Sequence, residues 1–420
     1  MNESTLIALL LVIFAWSLLA DRLASVNVSG PLAVATAGFV LGNASWGLVP
    51  VEVSSPTVHQ LAEATLALLL FCDASSVSMA AARRDAGLTT RLLGIGLPLS
   101  IVAGTALAVL MWPALPLAFA GLIAASLAPT DAALSAAVIN DERLPVRVRR
   151  VLNVESGLND GIATPVVTFF VASAATVLGI AHTELAGAWG AVGELVIGVA
   201  VGGVGGFVGG IVLRVAEARR WTQEGSRRFA TLALALAAYL VAAEVGGNPF
   251  VAAFVGGVAF GAGARRDAAE SVELAELTGS LLSLVLWFVF GAGFVLPTVE
   301  HLDVRTVLYA LASLTVLRMV PVALALASAG QDRRTVLFFG WFGPRGLASV
   351  VFALLAVEEL GGTAPDVRLA VRVITLTIAL SIVAHGMTAR PLATRYIAGS
   401  TADDKGADQR ADSEQPTEPD

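Results

Sequence analysis

The chain has 420 residues, of which 56% are hydrophobic and 14% are charged, and its mean hydropathy is +0.79. These values exclude a soluble globular protein and predict an all-α polytopic membrane protein. The net charge of −7 does not indicate a nucleic-acid partner, because acidic residues concentrate at the C-terminal end while the loops between apolar runs are basic. The single cysteine, Cys72, excludes an intrachain disulfide and disfavours a cysteine-based metal site.

Thirteen apolar runs of about 20 residues are each predicted to form a transmembrane helix. The first run follows Met1–Thr5 without a basic segment or a clear cleavage site, so it is predicted to be a retained span and not a signal peptide. The thirteen runs lie near 4–20, 27–46, 57–80, 91–111, 116–139, 150–179, 187–214, 229–246, 249–264, 274–296, 304–329, 335–357 and 368–389.

Most of the 26 lysine and arginine residues lie in alternate connections between these runs. Because basic loops stay on the cytoplasmic side, this pattern predicts an odd number of spans in the cell membrane, with the N-terminus outside and the C-terminus in the cytoplasm. From about Gly399 onward the chain lacks any apolar residue larger than Ala, which predicts a disordered cytoplasmic tail at 397–420.

Two interrupted spans indicate an internal repeat. The fifth span contains Pro129-Thr130-Asp131, and the twelfth contains Pro344-Arg345-Gly346. Broken helices at matching positions are typical of transporters built from inverted repeats, in which unwound backbone and helix ends bind ions. The predicted organisation is therefore two inverted six-span repeats at 1–183 and 227–396, joined by a seventh span and its loop at 184–226, with both breaks at mid-membrane.

Acidic residues next to these breaks predict an ion-binding site, since carboxylates within a bilayer usually mark an ion or proton path. Asp131, Asp160, the Ser156 hydroxyl and the backbone carbonyl near Thr130 form an all-oxygen set, which suits a hard cation and not a soft transition metal. The same carboxylates also bind protons. Competition between a cation and a proton for one site is the chemistry of an antiporter.

Buried arginines need partners. Glu155 is predicted to form a buried ion pair with Arg345, which would hold the two halves together. Arg318 has two open alternatives, a carboxylate such as that of Asp73 or carbonyls at a helix end. Asp73 either lines a vestibule or lies solvated at the end of its helix. The four histidines lack ligand spacing, and His385 is predicted to be a packing residue that can also respond to pH.

Three segments resemble the signature sequences of monovalent cation:proton antiporters of the NhaP/NHE type. They are Ser126–Asp131 (SLAPTD), Asn153–Gly161 (NVESGLNDG) and Phe342–Gly346 (FGPRG). Supporting similarity occurs in GGNPFVAAF at 246–254 and SIVAHG at 381–386, and the resemblance extends over about residues 5 to 395.

The resemblance implies a thirteen-helix fold with a core domain and a dimerisation domain, and a homodimer. It also implies that the broken helices 5 and 12 cross at mid-membrane and flank the ion site. It implies that Asp160 carries the ion or proton, that Asp131, Ser156 and the Thr130 backbone help to bind Na⁺, and that Glu155 pairs with Arg345. Asn159 stands where electrogenic relatives carry a second aspartate, which implies electroneutral exchange of one Na⁺, or Li⁺, for one H⁺. The implied partners are these ions and the lipid bilayer, without a cofactor.

Three alternatives remain at this point. A K⁺/H⁺ antiporter would have the same fold, because the ion preference of an oxygen site depends on its size. A non-transporting membrane sensor on that fold would lack cation-dependent proton movement. An intramembrane aspartyl protease is disfavoured, because Asn159 replaces the second glycine of its Gly-x-Gly-Asp motif and no Tyr-Asp partner motif occurs. The sequence therefore favours a transporter over an enzyme.

Overall fold

The computed structural model describes residues 3–42, 46–49, 51, 55–76, 86–131, 134, 136–139, 141–180, 184–265 and 268–413. Within these ranges the regular elements are all helical, and each of the thirteen predicted spans contains a helix. Eight helices are long and apolar enough to cross a membrane, and Gly30–Gly42, Leu117–Ser126 and Pro249–Ala264 are shorter apolar helices. The predicted all-α polytopic fold is confirmed.

The described residues of the first half form six helical regions. They are α1 (Glu3–Ser25), α2 (Gly30–Gly42), α3 (Pro56–Ser76), α4 (Ala86–Arg91 and Leu97–Met111, joined by a π-helical turn at Leu92–Gly96), α5a (Leu117–Ser126) with α5b (Ala136–Ile139), and α6 (Val146–Val177).

The second half begins after a long connecting helix. The connecting helix is α7 (Glu184–Ala218). The elements of the second half are α8 (Glu224–Glu244), α9 (Pro249–Ala264), α10 (Ala268–Phe290, a π-helical turn at Gly291–Val295, and Leu296–Glu300), α11a (Val304–Leu314), α11b (Val316–Leu326), α12a (Arg333–Trp341), α12b (Leu347–Leu360) and α13 (Pro365–Ser413). Helix α13 continues into the segment for which the sequence predicts a disordered tail, and disorder there stays a prediction.

Polar residues start the helices of the second half. Asn248 accepts a hydrogen bond from the Val251 amide at 3.0 Å and so begins α9, directly before Pro249. Asp332 begins α12a in the same way by accepting from the amides of Arg334 and Thr335. Burial of the Asp332 carboxyl opposes its ionisation, but the hydrogen bonds from Thr335 and the helix amides outweigh burial and lower its pKa.

The two predicted breaks are present. Helix α5 is non-helical over Leu127–Asp131, and α12 is non-helical over Phe342–Gly346. Each break contains a proline, which lacks the amide hydrogen that a continuous helix needs. Nearly all side chains of α5a and most of those of α12b are buried, so both breaks lie in the interior of the helix bundle. Helix α11 is also interrupted, at Thr315, which the sequence did not indicate.

Helices α7 and α9 pack with their backbones in close contact. A stripe of α7 glycines at intervals of four faces carbonyl oxygens of α9, at Gly198, Gly202, Gly206 and Gly210. A Cβ on Gly206 would overlap the Gly256 carbonyl oxygen, which belongs to the backbone and cannot move aside. Small residues at helix interfaces allow such close approach in membranes. The α7 glycines therefore serve the close packing of these two helices.

This contact predicts different effects for two neighbouring glycines. Gly206→Ala forces α7 and α9 apart and costs about 1–3 kcal/mol, as overpacking does in other cores. Gly205→Ala is the matched control, since a Cβ there meets no atom within 4 Å among the described residues. The thermal midpoint of the detergent-solubilised protein should fall for Gly206→Ala and stay unchanged for Gly205→Ala. Equal midpoints for the two variants would contradict the close packing.

Candidate functional site

The breaks in α5 and α12 contact each other through their backbones. The Asp131 amide donates a hydrogen bond of 2.9 Å to the Pro344 carbonyl oxygen. The Ser349 hydroxyl, from the first turn of α12b, donates to the Ser126 carbonyl at the end of α5a at 2.6 Å. The two broken helices therefore cross at the positions where each one is unwound, as the sequence predicts.

The Asp131 carboxylate binds the beginning of α12b. One oxygen accepts from the Leu347 amide at 2.9 Å, and the other accepts from the Leu134 amide at 3.1 Å. The first amides of a helix have no partner within the helix, and they carry partial positive charge that an anion stabilises. Gly346 makes the approach possible, because a Cβ there would overlap this carboxylate. Asp131 thus holds the two broken helices together, and its carboxylate lies at the point where they cross.

Arg345 binds the backbone carbonyls that follow the end of α5a. Its guanidinium donates to the carbonyls of Ala128 at 2.7 Å and Pro129 at 3.1 Å, and to the Ser313 carbonyl near the end of α11a at 3.2 Å. The side chain is only 1% exposed. Carbonyls at a helix end lack partners and carry partial negative charge, so a cation there is stabilised.

The predicted pair of Glu155 with Arg345 is therefore corrected. Glu155 instead accepts a hydrogen bond of 2.6 Å from Arg318, and both side chains are about 2% exposed. Arg318 also approaches the Phe339 carbonyl at 3.5 Å. The sequence alternatives for Arg318 are thus resolved toward a carboxylate, but that carboxylate belongs to Glu155 and not to Asp73. Arg345 instead donates to backbone carbonyls near helix ends, because the breaks leave such carbonyls without helical hydrogen bonds.

Three polar side chains meet beside the break in α5. The Thr130 hydroxyl accepts from the Asn159 amide group at 2.6 Å and lies 3.2 Å from the Ser156 hydroxyl. All three residues are buried, and the Asn159 Oδ1 atom has no hydrogen-bond partner within the described part of the chain. A buried oxygen without a donor is costly, and a cation or a water molecule would satisfy it. Asn159 therefore presents a buried oxygen to the site, in addition to standing where electrogenic relatives carry a second aspartate.

Three aspartates lie within electrostatic range of one another at this crossing. Asp160 follows Asn159 on α6, and its carboxylate is affected by the charges of Asp131 and Asp73. Asp73 lies in the last turn of α3 and is likewise affected by Asp131. Of the two alternatives for Asp73, this position favours the vestibule. Like charges gathered in a buried region repel each other, which favours binding of a proton or a cation.

The described residues contain no group of three or more His, Cys, Asp or Glu side chains arranged to hold a metal ion alone. A cation bound between Asp131 and Asp160 would therefore need hydroxyl, amide or backbone oxygens as further ligands. Thr130, Ser156 and Asn159 supply these atoms. Such a set is typical of hard cations, which prefer oxygen.

A hydrogen-bonded chain behind Arg345 was missed from the sequence. The Arg345 amide donates to the Ser381 hydroxyl at 2.7 Å, and His385 Nδ1 lies 3.2 Å from that hydroxyl. The other ring nitrogen of His385 lies 3.0 Å from the carbonyl of Trp341, the last residue of α12a. His385 is thus a buried residue that connects both sides of the α12 break. The segment SIVAHG contains Ser381 and His385, four residues apart, and this spacing is the sequence signal that could have indicated the hydrogen-bonded chain.

The corrected ion pair predicts a specific coupling in stability. In double-mutant cycles on thermal unfolding, Glu155→Gln and Arg318→Gln should couple more strongly than Glu155→Gln and Arg345→Gln, because only the first pair shares a short hydrogen bond. Each single substitution at the pair should cost about 3–5 kcal/mol, because it leaves a buried charge without its partner. Stronger coupling of Glu155 with Arg345 would restore the original pairing and contradict the structure.

The chain is similar to several antiporters. It is 28% identical over 257 residues to a Na⁺/H⁺ antiporter of Schizosaccharomyces pombe, covering 56% of this chain and 53% of the relative. It is 26% identical over 260 residues to a Na⁺/H⁺ antiporter of Saccharomyces cerevisiae, covering 58% and 26%. A sodium, potassium, lithium and rubidium/H⁺ antiporter of Bacillus subtilis is 28% identical over 223 residues, covering 52% and 32%. The chain thus spans between about a quarter and about half of these relatives.

A solved structure has the same fold. The sodium proton antiporter MjNhaP1 from Methanocaldococcus jannaschii, at pH 8, superposes with a TM-score of 0.76 over 94% of this chain and 99% of that one, at 19% identity. The family profile described as "Sodium/hydrogen exchanger, transmembrane" matches residues 6–395, which is nearly the whole chain. The chain therefore belongs to the sodium/hydrogen exchanger family.

Proposed function

We propose that this protein is a secondary active antiporter that exchanges Na⁺, or Li⁺, for H⁺ across the cell membrane by alternating access. The observation that carries the proposal is the meeting of two broken helices beside Asp131, Asp160 and a group of buried oxygens. Family membership supports a transporter and not an enzyme, and relatives named as Na⁺/H⁺ antiporters support the choice of ions. No cofactor is required, because no bond of the substrates is made or broken.

The cation binds between Asp131 and Asp160, with further ligands from the Ser156 hydroxyl and the Thr130 backbone. Asn159 Oδ1 is an additional candidate ligand, since it is buried without a donor. The unwound backbone at Leu127–Asp131 lacks the helical hydrogen bonds that normally occupy carbonyls, so it can offer an oxygen to an ion. Glu155 and Arg318 neutralise each other close by and leave the net negative charge of the site to the aspartates.

Exchange follows from competition for these aspartates. A proton or a cation compensates their charge, and only the compensated site can move past the surrounding apolar helices, because an uncompensated charge in a low-dielectric region is expensive. Outward and inward movements are then coupled through one site. Asn159, in place of a second carboxylate beside Asp160, supports an electroneutral exchange of one cation for one proton.

K⁺/H⁺ exchange is the second candidate. The Bacillus subtilis relative is named for sodium, potassium, lithium and rubidium, and ion preference depends on the size and rigidity of the oxygen site. Dissipation of a pH gradient in proteoliposomes, measured separately with Na⁺, Li⁺ and K⁺, separates the two. Dissipation by none of them would indicate a sensor.

The position of the basic loops supports an external N-terminus and a cytoplasmic C-terminus, because arginines concentrate in the connections on one side. The resemblance of the sequence to antiporters of the NhaP/NHE type, which implies a dimerisation domain, supports a homodimer. Both features can be measured independently of transport, the first by labelling of single cysteines and the second by native mass spectrometry.

Asp160→Asn should abolish exchange. The amide of asparagine is nearly isosteric with the carboxylate, but it cannot bind a proton or compensate the charge of a cation. The coupling between the two ions is therefore lost. The measurement is cation-dependent pH-gradient dissipation in proteoliposomes, with Asp21→Asn on the exposed side of α1 as the matched control. Full activity of Asp160→Asn would show that another residue carries the ion.

Asp131→Asn should weaken cation binding with little loss of stability. The amide oxygen can still accept from Leu347 at the start of α12b, whereas the charge that attracts the cation is gone. The apparent affinity for Na⁺ should fall about tenfold, which corresponds to about 1.4 kcal/mol. Asp131→Leu removes the hydrogen-bond acceptor as well and should also lower the thermal midpoint. An unchanged Na⁺ affinity in Asp131→Asn would exclude this carboxylate as a ligand.

A further inference from the structure

An ion pair joins α3 to α12b at the end of the bundle opposite Asp73. His59 lies in the first turn of α3, and its Nδ1 atom is 3.6 Å from Glu358 Oε1, near the end of α12b. His59 is only 7% exposed, and its Nε2 atom has no hydrogen-bond partner within the described part of the chain. The pair is therefore a contact between two helices, made by an enclosed imidazole and a partly exposed carboxylate.

The two helices are each fixed to a different neighbour. Helix α3 is fixed to α9, because the two backbones are so close that a Cβ on Gly257 would overlap the Phe71 carbonyl oxygen. Helix α12b is fixed to α5 instead, through the hydrogen bonds of Ser349 and Asp131. The ion pair thus connects the helices around α3 with the crossing that contains the ion site.

Helix α12b transmits a constraint from this pair to the ion site. Its first residue, Leu347, binds Asp131, and Glu358 in its last turn lies about 16 Å away along the helix axis. A continuous helix moves as one piece, so a contact that holds one end also limits movement at the other end. The proposed exchange requires the ion site to move past neighbouring helices, and such a movement of α12b would separate Glu358 from His59.

Protonation of His59 decides whether this contact is an ion pair. Histidine changes its charge between about pH 5 and pH 8, so both forms occur in the physiological range. A protonated imidazole in this place needs a carboxylate, because it is buried and because the beginning of a helix carries partial positive charge. A neutral imidazole has no such requirement. The strength of the contact between α3 and α12b therefore depends on pH.

Other titratable groups lie around this pair. Glu63 follows His59 by one turn on α3, Glu359 is adjacent to Glu358 on α12b, and Tyr239 belongs to α8. Glu63 and Glu359 are within electrostatic range of Glu358, and the Tyr239 hydroxyl is within range of Glu63 and Glu358. His59 forms its ion pair with Glu358 and, among the described residues, with no other carboxylate. A pair with Glu63 would lie within α3 and could not hold α12b.

We propose that His59 is a positioning residue for the proposed exchange: its protonated imidazole binds Glu358 and holds the end of α12b against α3. Loss of the proton weakens this contact and allows α12b to move with the ion site. In the proposed topology this end of the bundle faces outward, so protons outside slow exchange by fixing α12b, in addition to competing with the cation. The proposal rests on the proposed function, but the contact itself can be measured without transport.

The first test measures the contact in detergent by double-mutant cycles on thermal unfolding. At about pH 5.5, His59→Gln and Glu358→Gln should couple by about fivefold in the unfolding equilibrium, the upper end of the range for exposed ion pairs. At about pH 8.5 the coupling should fall below about twofold, because the imidazole is neutral. The matched control is Glu359→Gln, since Glu359 is the adjacent carboxylate and forms no ion pair with His59. It should not couple with His59→Gln at either pH.

Three results of these cycles would overturn the proposal. Absence of coupling at the lower pH would show that the pair does not hold the two helices together. Equal coupling at both pH values would show that the contact does not depend on protonation of His59. A stronger coupling of His59→Gln with Glu63→Gln than with Glu358→Gln would place the pair within α3.

The second test measures exchange in vesicles of one orientation, with the pH set separately on each side. At about pH 5.5 on the side that carries His59, His59→Gln and Glu358→Gln should each exchange about fivefold faster than the unmodified chain. At about pH 8.5 on that side the three rates should agree. Competition by protons at Asp160 acts equally in all three chains and cancels in these ratios. Glu358→Gln keeps the test decisive if His59→Gln folds poorly, because Glu358 is partly exposed.

The two proposals fail in different ways. Equal rates of both variants and the unmodified chain at the lower pH would overturn the positioning role of His59 and leave the antiporter proposal standing. Absence of exchange in the unmodified chain at every pH would refute the proposed function and the positioning role with it, even if the coupling in detergent were intact.

Discussion

The structure depends on the mutual compensation of charges where two broken helices cross. Breaking a helix in a membrane leaves amides and carbonyls that no water or lipid can satisfy. Asp131, from one break, accepts from the Leu347 amide that begins α12b, and Arg345, from the other break, donates to the Ala128 and Pro129 carbonyls that follow α5a. Each break thus supplies the charged side chain that the other one needs. The unwound backbone is maintained at a depth where it would otherwise be unstable.

This arrangement distinguishes charges that hold the crossing together from charges that can bind an ion. Arg345 donates its hydrogen bonds to backbone carbonyls. Glu155 and Arg318 form a buried ion pair in which their charges neutralise each other. The remaining charges at the crossing are the carboxylates of Asp131 and Asp160, with Asp73 in electrostatic range. Asp131 has both roles, since its oxygens accept from backbone amides while its negative charge contributes to the site. Any movement of α12b relative to α5a would therefore change the surroundings of a proposed ion ligand directly.

Much of the fold followed from the sequence, because bilayer thickness and the backbone requirement of prolines act locally. Apolar length predicted the helical regions, and Pro129 and Pro344 predicted the two breaks. The partner of Glu155 was not predictable in the same way. Both Arg318 and Arg345 were buried cations without a local partner, and the choice between them depended on carbonyls exposed by the crossing. Such a choice is a property of three-dimensional contacts between residues that are distant in the sequence.

The remaining distortions differ in cause. The π-helical turns in α4 and α10 end two residues before Pro98 and Pro297, which cannot donate to the Gly94 and Gly293 carbonyls four residues earlier, so a proline accounts for each turn. The interruption of α11 at Thr315 has no proline within four residues on either side, so packing against neighbouring helices decides it. Asn159 Oδ1 was overlooked as an oxygen for the ion because only the structure shows that its amide group is held by Thr130.

The central claim is that a cation and a proton occupy the same carboxylates in turn. The most direct measurement is the number of protons released when Na⁺ binds to the purified protein in weakly buffered detergent solution, followed with a pH indicator over a range of pH. The account predicts release of about one proton per bound Na⁺ at low pH, a release that declines as pH rises, and no release in Asp160→Asn. Binding of Na⁺ without proton release at any pH would contradict it.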